Sequence, residues 1–176
     1  AVPLLVCTKL VLERLDGMTG LDHGVAERRT GHAVAFGNSA FTPDELRARE
    51  PIFDDRPYAS LLYAASSTVV VDDRNRDAAR GSKLVIGVLG LSSSEWVQTK
   101  IHVVNRSISS GETPYDPKGW HNQISDGGEL TAMYQRSWMR RIPTSSPSLD
   151  GAASCDVSLG YYTAASCGVV GRWGKL

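Results

Sequence analysis

Four histidines occur in the chain, and His102 is the one with a chemical companion at a fixed spacing: Gln98 precedes it by four residues in "SSEWVQTKIHVV". An imidazole titrates at about pH 6.5, so it can take a proton from water under ambient conditions. A glutamine amide can hold the ring or a water beside it. Spacing by four puts both side chains on one face of a helix, and an even spacing puts them on one face of a strand. As a helix, Glu95, Gln98 and His102 share a face and Val97, Ile101 and Val104 form a buried stripe. As a strand, Val97, Thr99, Ile101 and Val103 alternate with Gln98, Lys100 and His102, and five β-branched residues between Val97 and Val104 make this the local preference.

Two further stretches carry reactive side chains. In "DDRPYASLLYAA", Arg56 follows Asp54 and Asp55 and precedes Pro57, which biases it toward extended backbone. These charges read as a solvated turn or, with chemistry, as a guanidinium placed to clamp an anion such as a phosphate. "ETPYDPKGWHNQISDGGEL" is rich in turn residues and holds Trp120 beside His121, amphipathic rings suited to an interface. His23 and His32 have no partner legible in the sequence and read as structural.

The chain has 176 residues, enough for one domain with its own core, expected over residues 1–176. Nineteen basic and nineteen acidic side chains cancel, so no nucleic-acid partner is expected. Cys7, Cys155 and Cys167 are odd in number and lack CxxC spacing, and they read as packed or incidental. No run reaches the roughly 18 apolar residues of a membrane helix, which leaves open a membrane barrel built from short alternating strands. A secretory signal is not visible at the start, where no basic segment precedes the apolar run.

The elements follow from periodicity. Leu5, Leu12 and Leu15, with Val11 beside them, have partial helical spacing that ends at Asp16-Gly17. "GHAVAFGNSAF" reads as a strand, and "TPDELRARE" as a helix of one or two turns, with Thr42 as N-cap, Pro43 at the first position and Glu45 completing a capping box. Tyr58 to Asp72, "KLVIGVLGL" and "ELTAMYQRSWMRR" read as strands, and "DVSLGYYTAASCGVVGRWG" as a hairpin. Many glycine-punctuated strands and few helices define an all-β antiparallel barrel or sandwich. Alternation alone does not separate a lipid-facing barrel from a soluble one.

The order of these pieces, "GHAVAFGNSAFTPDEL", "DDRPYASLLYAA", "KLVIGVLGLSSSEWVQTKIHVV", "DPKGWHNQISDGGELTAMYQRSW" and "LGYYTAASCGVVGRWG", resembles the outer-membrane lipid A 3′-O-deacylases, the LpxR-like family, over Gly31 to Gly174. The resemblance implies an antiparallel outer-membrane-type β-barrel, here partial, with a short helix in an extracellular loop, so that the "EWVQTKIH" segment becomes a helix. It implies location in the bacterial outer membrane, with lipid A, lipopolysaccharide and membrane lipids as partners. It also implies hydrolysis of the 3′-linked acyl esters, with His102 activating water, Gln98 as its companion, calcium stabilising the oxyanion and Arg56 binding substrate.

The sequence departs from the family pattern at several points. Ser60 stands where the family has glycine after "RPYA", and His121 where it has aspartate after "PKGW". The acidic Asn-Asp block thought to hold the metal does not appear before Gly31, so the metal ligands are not identified. The family also continues beyond "GRWGKL". A catalytically silent outer-membrane barrel or binding module is therefore the alternative expectation.

Overall fold

The structure is a computed structural model that describes residues 2–18, 28–72, 76–108, 117–125 and 127–174. A helix α1 (Val2–Met18) precedes strands β1 (Arg28–Phe41), β2 (Ala59–Asp72) and β3 (Ala78–Leu89). Helix α2 (Ser93–Ile108) and a single 3₁₀ turn (Trp120–Asn122) lie between β3 and β4 (Glu129–Ile142). Strands β5 (Leu149–Gly160) and β6 (Ala164–Trp173) complete the order. The six strands form one antiparallel sheet in sequence order, β1-β2-β3-β4-β5-β6. Consecutive strands are neighbours throughout, a meander whose longest described connection, between β3 and β4, carries α2 and the 3₁₀ turn.

The register of the last three strands follows the period-two pattern. Trp138 faces Cys155 and Cys155 faces Cys167, while Ser137 faces Asp156 and Asp156 faces Ser166. One face therefore gathers Tyr134, Val157, Leu159, Val169 and Trp173, and the other Gln135, Ser137, Asp156 and Ser166. On the second face Ser137 Oγ donates to Asp156 Oδ1 at 2.6 Å and Gln135 Nε2 donates to the same oxygen at 3.3 Å. Cys155 and Cys167 form a disulfide across β5 and β6. The expectation that these cysteines are incidental is thus corrected: the register places them directly opposite, which sequence spacing alone does not reveal. The side chain of Cys7 lies outside the described residues.

Two other expectations are corrected. Residues 42–50 form a turn and no helix. Competition for a backbone donor accompanies this: Glu45 Oε1 accepts from the Arg47 N–H at 2.9 Å, the group a helix would have bonded to the Pro43 carbonyl. Asp16, read as the stop of the first helix, instead lies inside it with a buried carboxylate. Its Oδ2 accepts from Ser82 Oγ at 2.6 Å, and its Oδ1 accepts from Tyr134 Oη at 2.6 Å and Arg136 Nη1 at 2.9 Å. Leu12, one turn earlier, is fully buried, so the expected stripe does face protein at this point.

The described chain forms two compact units: Ala1–Ala35, Ala65–Val85 and Ala132–Leu176 make one, and Phe36–Ala64 with Ile86–Thr131 make the other. Asp16 and its partners belong to the first. Gln98, His102, Arg56 and Trp120, the residues singled out for chemistry, belong to the second.

Candidate functional site

Helix α2 overrides the strand preference of its β-branched residues, and tertiary hydrogen bonds explain why. Ser94 lies in its first turn and is buried. Ser94 Oγ donates to Asn38 Oδ1 of β1 at 2.8 Å and lies 2.7 Å from Ser60 Oγ of β2. Since the single Ser94 proton goes to Asn38, Ser60 is the donor to Ser94. Two strands and the helix start are thereby tied together, with both serines buried and Asn38 exposed. Ser60 is the residue that departs from the family glycine, and its hydroxyl is a structural link in this chain.

One turn further along, Gln98 Oε1 accepts from Trp120 Nε1 at 2.9 Å. Trp120 is buried, and its ring meets that of Tyr58 with centroids 4.9 Å apart and planes tilted by 54°. The expectation of an interfacial Trp120 is therefore corrected: its N–H has a protein partner, and only His121 beside it is exposed. Gly119 is required here, because a Cβ would stand 2.5 Å from Tyr58 Cε2. The rest of the "PKGWHNQ" block is equally committed. The Lys118 N–H donates to Leu46 O at 3.0 Å, Asn122 Nδ2 to Arg49 O at 2.5 Å and Gln123 Nε2 to Gly90 O at 3.0 Å. Tyr58 Oη donates to Leu46 O at 3.2 Å, and burial pushes its phenol above the usual value. "RPYA", "EWVQ" and "PKGW" thus converge through Tyr58, Trp120 and Gln98.

Arg56 is exposed, and its Nη2 pairs with Asp44 Oδ1 at 2.6 Å. An exposed pair of this kind contributes about 0–1 kcal/mol, so an incoming phosphate can compete for the guanidinium. Asp55 accepts on both oxygens, from the Asp44 N–H and from the Arg56 N–H at 2.7 Å. These backbone donors hold its carboxyl below the ordinary value. His102 lies on α2 four residues after Gln98, on the same helical face by spacing, and its side chain lies outside the described residues. His23 also lies outside them, and His32 Nε2 lies 3.0 Å from Ser66 Oγ. The Val97 and Ile101 stripe, expected to be buried, is exposed.

Calcium wants six to eight oxygen ligands. Among the described residues no group of three or more histidine, cysteine or carboxylate side chains could hold a metal. The nearest carboxylates are engaged, Asp44 with Arg56 and Asp55 with two backbone N–H groups. The described residues do not fit a calcium site.

Sequence reasoning missed the Asn38–Ser94–Ser60 chain. The one available signal was a serine at a family glycine position within an apolar strand.

A six-stranded antiparallel sheet with apolar side chains exposed on its strands, and a loop helix tied to it by polar contacts, defines a protein of the outer-membrane β-barrel class. The chain matches the family described as Outer membrane protein LpxR over residues 7–176, and it belongs to that family and to the outer membrane. No curated protein and no solved structure matches it.

Proposed function

We propose that the protein is an ester hydrolase of the lipid A deacylase type, acting on the 3′-linked acyl chains. The observation that carries this reading is the convergence of the three motif blocks on one helix, with Gln98 held by Trp120 and Trp120 packed on the tyrosine that follows Arg56 and Pro57. In this reading His102 is the general base and Gln98 its companion. With Oε1 engaged by Trp120, the Gln98 amide nitrogen keeps two protons to offer a ring nitrogen or a water. Arg56 binds a phosphate of lipid A by exchanging it for Asp44. Calcium belongs to this proposal as the family's oxyanion stabiliser, although the described residues do not fit it.

The engagement of Asp44 and Asp55 favours a second reading, a silent outer-membrane binding module that keeps the scaffold without hydrolysis. Lipid A mass spectrometry separates the two. Deacylation by the refolded chain, abolished in His102→Ala and reduced less in Gln98→Ala, supports the first reading. Calcium titration by calorimetry runs beside it, with weak or no binding expected from the described carboxylates. Undiminished deacylation by His102→Ala removes the general-base assignment.

A further inference from the structure

Helix α2 is turned the wrong way round for water. Its Ser94–Gln98 row meets protein, while the adjoining rows, Val97 with Ile101 and Trp96 with Lys100, are exposed. Trp96 is 64 % exposed and Ile101 54 %. A helix on the surface of a water-soluble domain shows the reverse pattern.

The sheet beneath α2 has the same character. A Cβ at Gly37 would stand 2.6 Å from Tyr63 Oη, and one at Gly87 would stand 3.1 Å from Tyr63 Cβ, so positions 37, 63 and 87 share a face. Strand alternation then puts Phe36, Leu62 and Ile86 together on the other face, and all three are exposed, Phe36 by 72 %. Asn38 and Ser60, which hold Ser94, lie two residues from Phe36 and Leu62 and therefore on that same face. Helix α2 docks on the side of the sheet that carries Phe36, Leu62 and Ile86.

We propose that Trp96, Val97 and Ile101 form a lipid-contact surface continuous with the Phe36–Leu62–Ile86 band, lying among the acyl chains of the outer membrane, with Lys100 at the level of the lipid phosphates. The proposal rests on membership of an outer-membrane family and is independent of ester hydrolysis. The chemistry of the row fits this occupant. Indole is favoured at the border between hydrocarbon and headgroups, and lysine lays its stem along apolar surface while its ammonium reaches the phosphates. Lys100 Nζ lies 5.9 Å from the centroid of the Trp96 ring, which keeps the cation beside the indole. The partner is thus an acylated, phosphate-bearing lipid.

The test uses the full chain refolded into phosphatidylcholine vesicles, with and without an anionic phospholipid. Of the four tryptophans, the Trp96 signal is isolated by subtracting the fluorescence of Trp96→Phe. It is expected to be quenched several-fold more by brominated acyl chains than by aqueous iodide. Ile101→Trp in the Trp96→Phe background should restore that quenching, which guards against misfolding of either variant. Lys100→Gln should remove any gain in brominated-chain quenching that the anionic lipid brings. Quenching by iodide alone would place the face in water. Protection from both quenchers would mean that a second copy or another protein covers it. Either result overturns the proposal, and neither depends on whether lipid A is cleaved.

Discussion

Asp55 shows how one carboxylate can set a loop. Both of its oxygens accept backbone N–H groups, from Asp44 and from Arg56, and these lower its pKa from 3.8. A carboxyl held low in the folded chain contributes order that is fully present above the unfolded value and is lost as pH falls through the folded one. Acidification below about 3.8 should therefore release the loop carrying Arg56, read as faster hydrogen exchange at the amides of Asp44 and Arg56. Asp55→Asn should show fast exchange at neutral pH as well. An exchange profile that stays flat under acid would remove Asp55 from this role. Sequence reading found Arg56 and Gln98 as residues of interest, but it could not find their partners. Asp44 reads as part of a helix in the sequence although residues 42–50 form a turn, and the Trp120–His121 pair reads equally as turn or interface because nothing in a sequence shows that the Trp120 N–H points at Gln98.

At the scale of elements, the hydroxyl chain Ser60–Ser94–Asn38 fixes the start of α2 against two strands. Ser60→Gly, which restores the family residue, removes the donor to Ser94 at a buried site, a loss of about 1–3 kcal/mol. Hydrogen exchange should quicken in the first turns of α2 and leave the β5–β6 hairpin, tied by its disulfide, unchanged. Uniform protection in the variant would show that the chain does not hold the helix. The strands were legible because period two survives in β4, β5 and β6, where the register pairs like faces. Helix α2 was legible only through family resemblance, since its β-branched residues favour a strand and the contacts that overrule them lie 34 and 56 residues away in sequence.

For the whole molecule, the informative surface is apolar. Val169 and Trp173 on one face of β6 are exposed, as are Phe36, Leu62 and Ile86 on the first three strands. The chain should therefore refold only with detergent or lipid, giving a β-rich circular dichroism spectrum there and precipitate without it. A monodisperse β-rich monomer in plain buffer would contradict this. Composition concealed the property, because balanced charge and 41 % apolar content resemble those of a water-soluble domain. In a membrane sheet the apolar residues are turned outward while their number stays ordinary.

The carboxylate of Asp16 has a consequence for the order of folding. Its partners stand 66, 118 and 120 residues later in the chain. Bringing such distant points together costs loop-closure entropy that is repaid only once the contact forms, and contacts of this span slow folding. Helix α1 precedes all three partners in the chain, and the Asp16 carboxylate gains its full set only once β4 has joined the sheet. Burial of Asp16 should therefore be a late step of folding, read as late protection of the α1 amides in pulsed hydrogen exchange.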